Sequence, residues 1–234
     1  MRIHQIRVQA LIALIAVTGA LSCSREGSND AGVDSLPPAT SSSAAPDSSG
    51  PAPAAALTFV VAPSGTAARY RVREQLVKHD LPNDAVGETK NVTGRIAFDS
   101  SGKVIRQASK FVLSAGTFVS DQSRRDGFVR RRLLESEQYP DIVLVPTEVR
   151  GLVLPLPTSG TRPFQFTGDL TVHGVTRPTV WTGSVKFQGA DITGNARTAF
   201  TFKDISLEQP RVPVLLSVAD TIRLEIDFHL VRER

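Results

Sequence analysis

Four histidines, two closely spaced carboxylate pairs, one cysteine and a run of arginines are the residues of this 234-residue chain that could do chemistry. The histidines stand at positions 4, 79, 173 and 229. A two-histidine metal site needs a third ligand converging on the pair, and no local spacing supplies one. Glu135 with Glu137, and Glu225 with Asp227, lie two residues apart. On a strand that spacing puts both carboxylates on one solvated face, which suits a charge row better than the separate roles of an acid and a base. The sequence holds no Gly-x-Ser-x-Gly elbow, no phosphate-cradling glycine loop and no His-Glu-x-x-His. It therefore points to no enzyme. With Cys23 as its sole cysteine, the chain can form neither an internal disulfide nor a cysteine-based metal cluster.

The arginines carry two readings. Arg124, Arg125, Arg130, Arg131 and Arg132 fall within nine residues. They form either a solvated helix face, with Arg131 and Glu135 paired one turn apart, or a set of forked donors for an anionic lipid surface or a pyrophosphate head group. His173 reads as a strand-end imidazole bonded to the following turn, with contact to a polar ligand head as the alternative. Glu74 shares its parity with Tyr70 and Val72, which face the core. A lone buried carboxylate is costly, so it should meet an arginine or sit at a wet rim.

The formal charge is only +4, and residues 58–234 hold 24 Lys and Arg against 19 Asp and Glu. That falls far short of the dense basic stripe of a nucleic-acid binder, so no nucleic-acid partner is expected.

The elements that must position these groups are strands. Ala68, Tyr70, Val72, Glu74 and Leu76 alternate with Arg69, Arg71, Arg73 and Gln75. Stretches around Val92–Phe98, Ile105–Leu113 and Ile142–Leu144 repeat the pattern, with Pro146 making the last irregular. Phe164, Phe166, Leu170 and Val172 share one face, and Trp181, Val185 and Phe187 another. Ala196, Phe200 and Phe202 follow, and Ile222, Leu224, Ile226, Phe228 and Leu230 give the clearest strand of all. These eight period-2 segments predict an all-β, antiparallel eight-stranded barrel with one buried face. One short helix interrupts them over Ser123–Pro140, with Ser123 as its N-cap and Asp126 in its first turn. An eight-stranded barrel is just wide enough to be filled by its own side chains or to hold one slender ligand. By parity, Tyr70, Phe111, Phe164, Phe166, Trp181, Phe187, Phe200, Leu224 and Phe228 either line such a cavity or fill the core.

Residues 1–22 read as an export signal, with Arg2 and Arg7 ahead of the apolar stretch Val8–Leu21. Ala20-Leu21-Ser22-Cys23 resembles the bacterial lipobox, which implies acylation of Cys23. Residues 23–57 are rich in Ser, Ala and Pro and predict a disordered tether that reaches roughly 30 Å. The expected location is therefore exported, at the bacterial cell envelope, with a membrane partner through the lipid anchor.

Ser123–Pro140 and Phe164–Pro178 together resemble the signature of the YceI-like family of lipid- and polyisoprenoid-binding proteins. Arg125-Asp126, Leu133-Leu134 and Tyr139-Pro140 carry the likeness in the first. In the second it lies in Gly168-Asp169-Leu170-Thr171-Val172-His173-Gly174-Val175-Thr176, and it continues through Arg177-Pro178 and Trp181. It covers about residues 58–234. The resemblance implies a lipocalin-like barrel around an apolar cavity for an isoprenoid or similar lipid, with no cofactor beyond a bound lipid or quinone. The chain departs from better-known members at Tyr70–Gly87, read here as an inserted polar loop. A packed, ligand-free barrel serving envelope stress or surface interaction is the second reading. An integral outer-membrane barrel is the third, disfavoured because Tyr70, Tyr139 and Trp181 are too few for aromatic girdles.

Overall fold

Alternation of apolar and polar side chains matches the two-residue period of a pleated strand, and most of the strands among the described residues follow it. The computed structural model describes residues 54–77 and 79–233. The expected export signal, Cys23 and the Ser/Ala/Pro-rich segment as far as residue 53 lie outside the described residues. Among the described residues are ten strands: β1 (Leu57–Val61), β2 (Ala67–Leu76), β3 (Asn83–Thr89), β4 (Val92–Phe98), β5 (Lys110–Ser114), β6 (Asp141–Arg150), β7 (Ser159–Val172), β8 (Val175–Gln188), β9 (Asp191–Thr201) and β10 (Leu215–Arg232). A six-residue helix, α1 (Ser123–Phe128), runs into a π-helical turn at Val129–Leu133.

The sheet runs β1-β4-β5-β6-β7-β8-β9-β10 and returns to β1, so eight strands close the barrel, each antiparallel to its neighbours. Closure works because β10 is 18 residues long and takes two partners in succession along one edge. β2 occupies that edge from Leu215 to Asp227, and β1 takes it from Leu230 to Arg232. β1 and β2 therefore share one place in the ring, and β3 is added outside β2.

This corrects the assignment of strands while leaving the ring at eight. Leu57-Thr58-Phe59-Val60-Val61 is an apolar run without clean alternation, and Asn83–Thr89 lacks large apolar residues, so neither announces a strand. The expected polar loop at Tyr70–Gly87 is instead the β2–β3 hairpin, registered by Tyr70 opposite Gly87 and Arg73 opposite Asp84. Its polarity belongs to the outer face. Pro146 produces the expected irregularity, a register shift against β7 between Pro146 and Glu148, since proline cannot donate to the ladder.

The β7–β8 hairpin turns on two residues, His173 and Gly174, both at positive φ (49° and 74°). This is the turn whose twist matches that of the flanking strands. A Cβ on Gly174 would lie 2.9 Å from the Tyr139 ring, so the glycine also makes room for the end of the helical segment. The helix is capped differently from the expectation. Gln122, not Ser123, holds the N-cap position without a side-chain cap bond. Asp126 turns back on the preceding loop, accepting from the Ser120 backbone N–H at 2.9 Å and its hydroxyl at 2.6 Å.

Inward-facing residues form two clusters. Phe59, Ile96, Val185, Phe187 and Ile192 plug the end of the barrel where β1 closes on β10. The larger cluster includes Leu144, Leu170, Trp181, Phe200 and Ile222, and receives Val129 and Leu134 from the helical segment.

Candidate functional site

The barrel is not filled. A cavity of about 520 Å³ lies between the helical segment, the β2–β3 hairpin and the first half of β10, and a second of about 130 Å³ lies deeper. Along β10 the walls pass from one to the other: Leu215, Val218 and Ile222 face the first, Leu224 faces both, and Ile226, Phe228 and Leu230 face the second. Phe118 and Ile142 also line both. The two chambers thus adjoin across Leu224, Phe118 and Ile142, and the cluster around Phe187 packs beside the second.

Two glycines opposite aromatic residues keep the lumen open. Tyr70 pairs with Gly87, and Phe228 with Gly194. A Cβ on Gly87 would come within 2.2 Å of the Tyr70 ring, and one on Gly194 within 2.5 Å of the Phe228 ring. Each ring thus lies over the neighbouring strand instead of projecting across the barrel. In the deeper chamber Phe166 stacks on Trp181 at 5.5 Å, and Phe164 meets Phe228 edge-on at 5.9 Å. The Trp181 indole N–H donates to the Thr179 hydroxyl at 2.9 Å, which in turn donates to the Gly168 carbonyl, so the ring is fixed without using the lumen.

Of the nine apolar candidates, Tyr70, Phe200 and Leu224 line the first chamber. Phe111, Phe164, Phe166, Trp181 and Phe228 line the second. Phe187 lines neither; it is 2% exposed and belongs to the basal plug. Parity puts a side chain inside a barrel but cannot say at which height.

The polar candidates divide. Arg130, Arg131 and Arg132 are exposed on the helical segment, which lays Val129, Leu133 and Leu134 against the first chamber. The expected Arg131–Glu135 pair does not form: Glu135, at φ 44°, has left the helix and meets His173 Nε2 at 2.9 Å. His173 also packs on Tyr139 at 4.3 Å between ring centres, away from the cavity walls. Its contacts join the two signature stretches to each other.

Glu74 finds the arginine that its parity demanded. Arg125 Nη2 donates to Glu74 Oε1 at 2.6 Å, with the two side chains 14% and 8% exposed. Arg125 also donates from Nη1 to Asp121 and, at 3.3 Å, to the Ser120 hydroxyl. Burial works against the guanidinium, but the bond to Asp121 and the charge of Glu74 outweigh it and leave Arg125 above its ordinary pKa. Tyr70, beside this pair, is pushed up to about 12 by burial. Sequence reasoning missed Arg125 and Phe118 as wall residues. The odd parity of Glu74 hinted at the first; nothing periodic surrounds the second.

Outside, the strands carry charge ladders. Arg69 bridges Glu88 at 2.6 Å and Asp227 at 2.5 Å, and Arg71 meets Glu225 at 2.8 Å. An apolar lumen inside a charged exterior is the reverse of a membrane-spanning barrel, whose outer band faces lipid. Among the described residues, no three His, Cys, Asp or Glu side chains converge as metal ligands.

The family model for the YceI-like domain matches residues 59–230. A UPF0312 protein of Pseudomonas putida is 25% identical over 154 residues, spanning 63% of this chain and 74% of the relative. Among solved structures, a polyisoprenoid-binding domain from Saccharophagus degradans superposes with a TM-score of 0.60 at 14% identity, covering 76% of this chain and 99% of that one. The YCEI protein of Campylobacter jejuni gives 0.51 at 17% identity, covering 68% and 90%. These likenesses establish a shared barrel.

Proposed function

Because the chain belongs to the YceI-like domain family, we propose that its barrel sequesters one long apolar molecule, an isoprenoid lipid or a quinone, along the two-chamber channel. The observation that carries this is the first chamber: about 520 Å³ of space walled by side chains such as Val72, Phe118, Phe128, Phe200 and Ile222. That volume falls within the range of small-molecule sites. Removing ~200 Å² of ligand hydrocarbon from water is worth about 5 kcal/mol at 25 cal/mol per Å². The similarity to a polyisoprenoid-binding domain supports the same class of ligand. The packed-barrel reading needs a filled interior, and the chamber counts against it. No catalytic step is part of this function.

The carrier would work at the cell envelope, exported by residues 1–22 and tethered through acylated Cys23. Its mouth is suited to a membrane. Val77 and Val214 at the rim are exposed, as are Leu81 in the β2–β3 turn and Leu216 beside Leu215. Arg124, Arg130, Arg131 and Arg132 on the adjoining segment are exposed as well, and none is in an ion pair among the described residues. Apolar lips beside free guanidiniums complement an anionic bilayer.

Native mass spectrometry and organic extraction of the exported chain carrying Cys23→Ser test the binding function. A stoichiometric co-purifying hydrophobe is expected. An apo mass, with no uptake of added prenyl quinone or prenol, would overturn the proposal.

A further inference from the structure

We propose that the polar corner of the first chamber selects a ligand whose polar end is uncharged and carries an oxygen acceptor, such as a carbonyl, and disfavours a phosphorylated end. The inference rests on the apolar-ligand function and sharpens it.

The buried cation at that corner is already spent. Glu74 lines the chamber beside Arg125, with Arg124 and His79 also on its walls, and the charges of Asp121 and Asp126 act on Tyr70 from behind. Arg125 is committed, since its two terminal nitrogens already donate to Glu74, Asp121 and Ser120. A phosphate reaching it must displace a carboxylate, and Glu74 is buried where it would then be left without its partner.

One donor on the wall is unspent. The Tyr70 hydroxyl makes no hydrogen bond to another described residue, although its ring is fixed between Gly87 and Phe118, 5.6 Å from the latter ring. Burial keeps the phenol protonated throughout the physiological range, so it always has a proton to donate. A neutral oxygen satisfies that donor without disturbing the Glu74–Arg125 pair, while the hydrocarbon of the same ligand extends past Leu224. A hydroxyl or ether oxygen offers the same acceptor as a carbonyl, and the ligand series below separates them.

The single tryptophan, Trp181, stands in the deeper chamber and reports occupancy by fluorescence. The delipidated full chain would be titrated with a prenyl quinone, a prenol, a prenyl pyrophosphate and a plain polyprene of equal chain length. The quinone or prenol should bind at least about tenfold more tightly than the pyrophosphate. Tyr70→Phe should weaken the oxygen-bearing ligands about three- to tenfold, the range of one net hydrogen bond, and leave the polyprene unchanged. Pyrophosphate binding as tight as the quinone, measured on the unsubstituted chain, would overturn the inference. So would an equal loss for the polyprene in Tyr70→Phe. If no member of the series binds, the carrier function itself falls and takes this inference with it.

Discussion

Arg125 on α1 and Glu74 on β2 lie 51 residues apart in sequence and 2.6 Å apart in space, and their ion pair ties the helical segment to the strand beside the channel mouth. Both charges are largely withdrawn from water, so each depends on the other. Breaking a buried pair on one side typically costs 3–5 kcal/mol, whereas replacing both partners by apolar groups is often close to neutral. Glu74→Leu leaves Arg125 with Asp121 alone and should destabilise the protein by about 2 kcal/mol, below that range. Glu74→Leu with Arg125→Met should recover most of the loss. Urea denaturation of the two variants checks this; equal destabilisation would show that the pair does not act as a unit.

Leu224 stands between the two chambers, with its side chain on the walls of both. Leu224→Trp should fill that boundary at an overpacking cost of about 1–3 kcal/mol. A ligand that spans both chambers should then bind at least about tenfold more weakly, corresponding to ~1.4 kcal/mol. One short enough for the outer chamber should be spared. Affinities for a homologous series of prenyl chain lengths would show the break. A uniform loss at every length would mean that the chambers are not used in series.

The barrel was legible because period-2 alternation is the physical signature of a sheet with one buried face, and β10 shows it without interruption from Ile222 to Leu230. β1 escaped notice because its short apolar run lacks alternation, and β3 because it carries few large side chains. The helical end was less legible. Ser123 looks like a cap, yet Ser120, six residues before Asp126, takes the bonds of that carboxylate, a loop closure that a capping pattern does not encode. For the site, parity identified the inward side chains but not their depth, which is why Phe187 reads the same as Phe200 in sequence and sits in the basal plug. Glu74 was the informative exception: a charge on a core parity announces a partner, even when the sequence does not name it.

Tyr70 gives the protein a defined alkaline limit. Its phenol is held near pKa 12 by burial, against 10.0 for an unperturbed group. Above pH 10 the unfolded chain releases this proton first, which favours unfolding. The stabilisation is complete below pH 10 and is lost progressively up to pH 12, by about 2 kcal/mol across the window. Thermal midpoints of the parent and Tyr70→Phe proteins should hold a constant offset below pH 10, and the parent should lose ground to Tyr70→Phe progressively between pH 10 and 12. Parallel curves across the whole range would contradict a buried, protonated Tyr70.

The mouth of the channel combines two forces that separate experimentally. Arg130, Arg131 and Arg132 are exposed and free of ion pairs among the described residues, so each should contribute about 1 kcal/mol at an anionic surface. Arg130→Gln, Arg131→Gln and Arg132→Gln combined, in the Cys23→Ser background, should weaken binding to phosphatidylglycerol vesicles by about 100-fold at low salt. The difference should shrink as added salt shortens the Debye length to about 8 Å at physiological ionic strength. Val77→Ser with Leu81→Ser removes apolar lips without changing charge. It should slow extraction of a prenyl quinone from the same vesicles while leaving the salt dependence intact. Vesicle co-sedimentation and the quinone transfer rate read the two effects separately. If the arginine variant binds anionic vesicles as well as its parent, the mouth does not face the membrane through this segment.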